Sequence, residues 1–579
     1  MKLNRKNKII FVSILVLALL LRLLFLDRIP TGISNDEYYF ILNAKSVFYN
    51  FVSLLKNGWD YQIFQNILSG INSETSILIM APIFGLLPSN LFFARLPYVF
   101  IGLLTIVLIF KITLKNTRNI NIALLAALLS AINPWSIFVH RTSFDAPVAL
   151  LFFLLTFYLQ SFACPKLIIL SALTSFFAFN GYIGTKIIYL PFMLFCSYYS
   201  WRYVQRKKYP GHFVIVVLIS LLITTSYILN LNTSITGNRR SELVYPSSVP
   251  IVLEATTAQN QSLATPFKNL FSNRYYIYLK TFIDKYLYNF STDILFLDGD
   301  HTFMLSLWKM GYFYYIDLFL IILGTIYLFN HHRHFLLLLI LSILLSPIPE
   351  AIRLDKIPAY AFHSAFQYPF LLIILGAGAY YVWRLLSKKI FRFIFVFIYL
   401  LLFLNFIDLY FYKYPIYQSE GFFMSRQTLS RFLQMESSKS PSIVVVTSEP
   451  EAVYRNYLYF SKQYNYQNYQ QISSQYTLHP GARYFKWGNI TITDEPPQTK
   501  EKDTVYIVDQ NISNYPFSSE KHLVISTLGD RLPLYKIYFS QSCASTIFPV
   551  LQPKLNMTDL NLEKLTHEDF CKKYLFPSN

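Results

Sequence analysis

The sequence predicts an α-helical, polytopic membrane protein with a small α/β domain at its C-terminal end. Three observations indicate this class: 54% of the 579 residues are hydrophobic, only 14% are charged, and the long apolar runs stop near residue 413. Because soluble domains average about 25% charged residues, an ordinary soluble enzyme is excluded. We expect about eleven transmembrane helices in residues 1–412 and an extracytoplasmic α/β domain in residues 413–579.

The first predicted span runs from Ile9 to Leu26. Arg22 is the only charge in this run of 18 residues. The run can cross about 30 Å of hydrocarbon and exceeds a typical signal-peptide core. The other predicted spans are the apolar stretches 91–110, 120–138, 146–163, 167–180, 187–200, 213–230, 314–330, 335–348, 364–383 and 393–411. An odd number of spans places the two chain ends on opposite sides of the membrane.

The net charge of +19 comes mainly from the connections on one side of these spans. Six alternate connections contain 17 Lys and Arg and no Asp or Glu: 1–8, 111–118, 164–167, 201–212, 330–334 and 383–392. The positive-inside rule assigns such connections to the cytoplasm. We therefore expect a multi-pass plasma-membrane protein with a cytoplasmic N-terminus, an extracytoplasmic C-terminus and no nucleic-acid partner.

All acidic residues then fall on the outer side or near outer helix ends, so the chemistry is expected to face outward. The outer segments that carry these acids are 27–90, 133–147, 231–313 and 349–363, together with the C-terminal tail. Glu37 to Trp59 and Ile77 to Leu87 have mixed apolar patterns that are typical of interfacial helices rather than spans.

The C-terminal region reads as a soluble α/β domain. The runs Ile443–Thr447, Thr504–Val508, His522–Ser526 and Leu534–Phe539 have strand length and β-branched side chains. A Tyr-rich helix is predicted between the first two, with Tyr454, Tyr457, Tyr459, Tyr464, Tyr466 and Tyr469. This row either covers a core or forms a sugar-stacking surface.

Four cysteines divide by predicted side of the membrane. Cys164 and Cys196 lie near cytoplasmic helix ends, whereas Cys543 and Cys571 share the outer domain, where oxidising conditions permit a disulfide. The sequence has no CxxC pair, HExxH, P-loop or GxSxG motif, which argues against metalloprotease, ATP-driven and serine-hydrolase functions. We expect no cofactor and leave a divalent metal open.

The first outer connection carries an adjacent carboxylate pair, Asp36 and Glu37, about ten residues beyond the first span. Two acids near a low-dielectric surface raise each other's proton affinity, so one can act as a base towards a hydroxyl. The alternative is structural: Asn35 caps a helix whose first turn holds the two acids.

A second cluster lies in the turn of residues 133–147, which brings His140, Arg141 and Asp145 together. Arg141 could hold a lipid phosphate with Asp145 fixing it, or the two could form an interfacial ion pair. Lys186, close to Tyr182, and His363 have the same two interpretations, phosphate contact or interfacial anchoring.

A third cluster, Asp298, Asp300 and His301, closes the long outer connection. Two Asp and one His make an incomplete metal shell, so we favour a turn with a substrate-facing edge.

Several segments together resemble the polytopic lipid-carrier glycosyltransferases of glycosyltransferase family 39, which includes protein O-mannosyltransferases and aminoarabinose transferases. The segment SNDEYYF resembles the acidic first-loop motif, FFARLPYVFIGLLT the entry of the second helix, and NPWSIFVHRTSFDAP the arginine-containing outer turn. YLYNFSTDILFLDGDHTF and GYFYYIDLFLIILG are similar to a segment of uncharacterised bacterial members.

The resemblance implies a GT-C-like fold and transfer of a sugar from a polyprenyl-phosphate donor to a glycan, lipid or protein acceptor at the outer face. Asp36 would be the base, with Glu37 assisting it, and the configuration would invert. The candidate cations for the leaving phosphate are Arg141, Lys186, Arg95, His363 and Arg353. Substrate contacts are expected from Tyr38, His140, Asp145, Tyr182, Asp300 and His301.

The chain departs from the family pattern before the second helix. Better-known members have Lys-Pro or His-Pro there, whereas this sequence has Asn72-Ser-Glu74-Thr-Ser-Ile. The usual cation is therefore missing, and Lys186 or Arg353 is expected to replace it.

Three other functions compete with sugar transfer from a monophosphate carrier. A transporter or flippase of lipid-linked sugars would need gates on both faces, but the cytoplasmic connections are short and basic. A membrane scaffold with an outer sensing domain would not depend on Asp36. An oligosaccharide ligase or polymerase would require a lipid-diphosphate donor.

Overall fold

The structure, a computed structural model, describes residues 4–50, 74–162, 164–205, 210–229, 243–263, 266–353, 360–478, 483–544, 546–549 and 553–578. A bundle of apolar helices forms the first part, and a seven-stranded sheet with its helices forms the last part. The predicted architecture of a helical protein with a small C-terminal α/β region is confirmed.

Within the described residues, ten helices build the apolar bundle. They are α1 (Arg5–Leu23), α4 (Leu91–Thr117), α5 (Ile120–Ile132), α7 (Ala146–Gln160), α8 (Pro165–Gly181), α9 (Lys186–Tyr199), α10 (Pro210–Leu229), α15 (Asp317–Leu345), α17 (Tyr368–Leu385) and α18 (Lys389–Asp408). By length and composition, four helical segments of the described chain can cross a membrane: Leu91–Thr117, Asp317–Ala351, Ala365–Leu385 and Lys389–Tyr417.

Each predicted span lies on one of these helices, but two spans share α15. The stretches 314–330 and 335–348 are joined at His332, whose φ of −143° and ψ of 45° break the helical geometry. The predicted cytoplasmic connection 330–334 is thus a bend instead of a loop. The number of eleven spans stays a prediction.

The tightest helix pairing joins α15 to α17 through small residues. A Cβ atom on Gly378 would lie 1.8 Å from the carbonyl oxygen of Leu320, so only glycine permits this approach. Small residues at helix interfaces allow such close backbone packing in membranes.

Shorter helices occupy the predicted outer connections. They are α2 (Asn35–Asn50), α3 (Glu74–Leu86), α6 (Pro134–Val139), α11 (Val249–Gln261), α12 (Lys268–Phe271), α13 (Arg274–Tyr288), α14 (Thr292–Phe296) and α16 (Ile348–Ala351). The predicted interfacial stretches fall on α2 and α3, except that residues 51–59 lie outside the described residues. Asn72 and Ser73 of the departing motif also lie outside them.

The C-terminal sheet has the strand order β2-β3-β1-β4-β6-β5-β7. Its strands are β1 (Ser442–Val446), β2 (Tyr484–Trp487), β3 (Ile490–Thr493), β4 (Thr504–Asp509), β5 (Leu523–Ser526), β6 (Pro533–Tyr538) and β7 (Leu575–Pro577). The accompanying helices are α19 (Tyr414–Tyr417), α20 (Met424–Glu436), α21 (Pro450–Phe460), α22 (Tyr469–Leu478) and α23 (His567–Tyr574). β1 is parallel to both β3 and β4 and is the centre of the sheet's parallel part.

The Tyr-rich row covers the core and the junction with the helical part. Tyr466 is exposed, whereas the other five tyrosines of the row are buried. The hydroxyl of Tyr459 donates to the carbonyl of Asn90, and the hydroxyl of Tyr469 lies 2.9 Å from that of Ser46. These contacts match the core interpretation of the row and not the sugar-stacking one. Cys543 and Cys571 are joined by a disulfide.

Candidate functional site

The candidate site forms where the predicted outer connections meet around Asp36. Asp36 lies in the first turn of α2 and is exposed. Tyr360 precedes α17 in the chain, and its hydroxyl donates a 3.3 Å hydrogen bond to Oδ2 of Asp36. Burial, with Asp36 as the next cause, raises the pKa of Tyr360 well above its usual value, so the phenol is neutral and donates.

Local sequence explains why α2 begins here. Ser34 and Glu37 form a reciprocal capping box: the Ser34 amide donates to Glu37 Oε2, and the Glu37 amide donates to Ser34 Oγ. This capping box sets the first helical turn and thereby places Asp36 on the open side of the helix.

Glu37 itself is fully buried in an ion pair with Arg95, at 3.3 Å between Nε and Oε1. The carboxylate also accepts from the Ser143 amide, and Arg95 donates to the carbonyls of Pro30 and Gly32, each at 2.7 Å. The buried Glu37–Arg95 ion pair therefore links α2 to α4 and to the turn at Ser143.

A cluster of charged side chains lies beside Tyr360. His363 Nδ1 is 2.5 Å from Glu350 Oε2 and 2.8 Å from Nη1 of Arg353. The Arg353 guanidinium lies over the Tyr360 ring, 5.5 Å from its centroid, and 28% of the Arg353 side chain is exposed. Asp36 and a partly exposed guanidinium thus flank the same tyrosine.

Two backbone contacts hold the Arg353 segment in place. Lys285 on α13 donates a 2.8 Å hydrogen bond to the carbonyl of Arg353, and Leu243 forms an antiparallel bridge with Arg353. These backbone contacts leave the guanidinium directed at His363 and Tyr360.

Tyr182, Asp145 and Lys186 have different surroundings. The ring of Tyr182 stacks on His363 with centroids 6.0 Å apart. Asp145 immediately precedes α7. The charges of Asp145, Arg353, Glu350 and Asp36 all act on the Tyr182 hydroxyl, so these side chains share one environment. Lys186 is buried between the rings of Phe179 and Tyr227, at 5.2 and 4.9 Å.

Arg141 and His140 are both fully buried. Arg141 donates three 3.0 Å hydrogen bonds, to the carbonyls of Leu21, Arg22 and Ile29, and so fixes the chain that leaves α1. Burial, and then the nearby Arg22, lowers the pKa of His140 to about 3, so this imidazole is neutral. The structure does not bring these two side chains to the exposed side of Asp36.

Asp300 is buried and holds the chain on which Tyr360 lies. Its carboxylate accepts from the Thr302 amide, the Thr302 hydroxyl and the Ala361 amide, each at 2.6 Å. Burial raises the pKa of Asp300 to about 6 despite these hydrogen bonds. His301 instead is partly exposed and lies 2.7 Å from Asp293.

Tyr38 lies on the buried face of α2, and its hydroxyl donates to Asn35 Oδ1 at 2.9 Å. Sequence reasoning missed Tyr360 and Glu350. Glu350 is one of only two acids in the predicted connection 349–363, which was the available signal for it; no pattern distinguishes Tyr360 from the other tyrosines.

In the described parts of the chain, no His, Cys, Asp and Glu residues group in threes so as to hold a metal ion. Chemically, the site offers an exposed carboxylate, a neutral phenol and a partly exposed guanidinium, which suit proton removal and anion stabilisation.

Comparison with solved structures returns two crystal structures of ArnT from Cupriavidus metallidurans. The one bound to undecaprenyl phosphate is 11% identical with a TM-score of 0.43, and the apo state is 10% identical with a TM-score of 0.44. Each comparison covers 91% of this chain and 97% of ArnT.

A third match is the archaeal oligosaccharyltransferase AglB from Archaeoglobus fulgidus, in complex with an inhibitory peptide and a dolichol-phosphate. It is 10% identical with a TM-score of 0.42, over 87% of this chain and 69% of AglB. No family model and no curated protein matches the sequence. All three matches have low sequence identity and TM-scores below 0.5.

Proposed function

We propose that this protein is a membrane glycosyltransferase that moves a sugar from a polyprenyl-phosphate donor to an acceptor hydroxyl at the outer face. The observation that carries the proposal is the Asp36–Tyr360–Arg353 arrangement. An exposed carboxylate and a partly exposed guanidinium lie on either side of one tyrosine. A base and an anion-binding group are the two parts that such a transfer needs.

In the proposed reaction, Asp36 accepts the proton of the acceptor hydroxyl as its oxygen attacks the anomeric carbon. The new carbon–oxygen bond forms while the bond from that carbon to the phosphate oxygen breaks. Polyprenyl phosphate leaves with the electron pair, so a single displacement inverts the anomeric configuration. The Tyr360 hydroxyl orients the Asp36 carboxylate through its hydrogen bond.

The developing negative charge is on the leaving phosphate, and we assign its stabilisation to Arg353 and His363. Both side chains are partly exposed beside Tyr360. Arg95 and Arg141 are fully buried, and their hydrogen bonds go to Glu37 and to backbone carbonyls. Lys186, enclosed by two rings, is assigned a supporting electrostatic role.

Glu37 is assigned a positioning role, since its carboxylate is already occupied by Arg95 and by two backbone amides. Asp145 and Tyr182 are the substrate-contact candidates nearest to the charged cluster. Asp300 acts indirectly, because it anchors the chain next to Tyr360.

The proposal also includes the orientation taken from the sequence. With the basic connections in the cytoplasm, Asp36, Asp145, Tyr182, Arg353 and His363 all belong to outer connections. The N-terminus is then cytoplasmic, the sheet region is extracytoplasmic, and the protein belongs to the plasma membrane.

The proposal can be tested with the purified protein in lipid nanodiscs. The protein is given a panel of polyprenyl-phosphate sugars with and without an envelope extract, and free polyprenyl phosphate is measured. Carrier release that requires both the correct sugar and the extract is expected. If a donor binds and moves across proteoliposome membranes without carrier release, the protein is a transporter and the proposal is wrong.

A further inference from the structure

One arginine of the sheet region contacts the residue next to Asp36. Arg426 lies in the first turn of α20, and its Nη1 donates a 2.8 Å hydrogen bond to Asn35 Oδ1. Its Nη2 donates to Glu449, which follows β1, and its guanidinium carbon lies 4.0 Å from the ring centroid of Phe423. Only 9% of the Arg426 side chain is exposed.

The segment before α2 is also packed against the chain that enters α20. The Thr31 hydroxyl donates to the carbonyl of Pro415 at 3.2 Å. Gly32 has a φ of +81°, and a Cβ atom there would lie 2.2 Å from the carbonyl oxygen of Phe422. Residues 31–35 are therefore clamped between the helical part and the sheet region.

Glu449 lies just beyond the carboxyl end of β1, the central strand of the parallel part of the sheet. This strand has β3 on one side and β4 on the other. From β1 the chain continues to β2 and β3 on one side, and from β4 it continues to β5 and β6 on the other. The crevice outside the carboxyl ends of β1 and β4 is therefore a topological switch point, where α/β sheets commonly bind ligands. Thr447 and Asp509 meet across this crevice at 3.2 Å.

We propose that Arg426 is a positioning residue that fixes the Asn35–Asp36 turn to the carboxyl edge of the sheet. The planar guanidinium fork bonds Asn35 and Glu449 at once, which a single amine cannot do in the same geometry. The tie holds the start of α2 in the orientation that aims Asp36 at Tyr360. This inference rests on the proposed function, because it concerns the proposed base.

The structure offers two variants that remove the tie and one matched control. Arg426→Gln removes the donor of the Arg426–Asn35 hydrogen bond, and Asn35→Ala removes its acceptor. Arg455→Gln removes a similarly shielded arginine of the same region, whose ion pair is with Glu451 one turn earlier in α21. Full-length proteins in nanodiscs are compared by hydrogen exchange and by transfer kinetics.

Hydrogen exchange tests the tie without any activity. The amides of residues 35–38 should exchange at least about tenfold faster in Arg426→Gln and in Asn35→Ala, and at the wild-type rate in Arg455→Gln. Protection of β1 and β4 should not change, which shows that the sheet remains folded. Equal exchange of residues 35–38 in Arg426→Gln and wild type would overturn the proposal.

Kinetics then separate positioning from general stability. Misplacement of a reacting group lowers turnover rather than binding, so kcat should fall about 10- to 100-fold with the donor KM unchanged. The double variant Arg426→Gln/Asn35→Ala should lose less than the sum of the two single variants, because both remove the Arg426–Asn35 hydrogen bond, while each also removes a contact of its own, to Glu449 or to Tyr38. Additive losses, or an equal loss in Arg455→Gln, would overturn the positioning role.

A wrong function and a wrong positioning role would give different experimental results. If wild type releases no carrier but the exchange pattern is as expected, the proposed function is wrong and the tie is still established. If transfer occurs and depends on Asp36 while Arg426→Gln retains full kcat, the positioning role alone is wrong.

Discussion

At the scale of single residues, burial divides side chains that look alike in the sequence. Arg95, Arg141 and Arg353 are all arginines near predicted outer helix ends, yet the first two are fully buried and only Arg353 reaches the Asp36 site. A buried arginine stripped of its partners would leave carbonyls and carboxylates unpaired, so its hydrogen bonds identify a structural role. Exposure beside Tyr360 is the reason why Arg353, with His363, is proposed to bind the phosphate.

Arg353→Gln should weaken binding of polyprenyl phosphate. A hydrogen bond to a charged group contributes about 1.5–3 kcal/mol, so the expected loss of affinity is about 10- to 100-fold. Native mass spectrometry of the protein in nanodiscs measures it. Arg28→Gln is the matched control, because Arg28 follows α1 on the same side and pairs with Asp27. Equal affinities in wild type and Arg353→Gln would remove Arg353 from the phosphate site.

The raised pKa of the buried Asp300 carboxyl predicts that the stability of the protein depends on pH. This pKa is raised from 3.8 to about 6 by burial, so the folded protein binds more protons than the unfolded chain between these values. The stabilisation is complete below pH 3.8 and is lost as the pH rises through 6. Relative to Asp300→Asn, wild type should lose about 2 kcal/mol between pH 4 and pH 7.

Thermal unfolding of wild type and Asp300→Asn at several pH values measures this difference. The unfolding midpoint of wild type, relative to that of the variant, should decrease as the pH rises. A relative midpoint that stays constant from pH 4 to pH 7 would show that Asp300 has an ordinary pKa.

At the scale of elements, short connections carry the site and regular elements hold them in place. The capping box starts α2 next to Asp36, Lys285 on α13 fixes Arg353, and Asp300 fixes Ala361. In the sheet region, the disulfide has the corresponding role, because it links the loop after β6 to α23.

Removal of the disulfide should loosen one end of the sheet. The bond closes a loop with a sequence separation of 28, for which chain entropy gives a stabilisation of roughly 3–4 kcal/mol. In Cys543→Ser, hydrogen exchange should therefore accelerate in β5, β7 and α23, while α15 and α17 keep their protection. The control is Cys196→Ser, which changes a free, buried cysteine of α9. Unchanged exchange around β7 in Cys543→Ser would contradict this role.

At the scale of the whole molecule, hydropathy predicts the helices well because burial in lipid or in the bundle requires the same apolar runs. The strands β2, β3 and β7 were not predicted, since each has only three or four residues and none stands out as an apolar run. The sequence predicts a loop where the structure has a bend at His332. A kinked helix and two separate helices have the same hydropathy profile, so hydropathy cannot distinguish them.

The site was predictable only in part. Asp36 followed from its position beyond the first span, and His363 and Arg353 were among the candidate cations. Tyr360 and Glu350 were not found, because their importance depends on contacts with residues far away in the chain. The buried state of Arg95 and Arg141 depends on carbonyls of other segments, which no local pattern encodes.

The proposed role of Asp36 as the base of a sugar transfer can be tested by comparing three proteins. Carrier release and donor binding are measured for wild type, Asp36→Asn and the control Asp27→Asn, whose carboxylate lies in the same outer connection and bonds to Asn561. Release should fall at least about 100-fold in Asp36→Asn alone, with donor binding retained. Release from Asp36→Asn at the rate of the control would contradict the account.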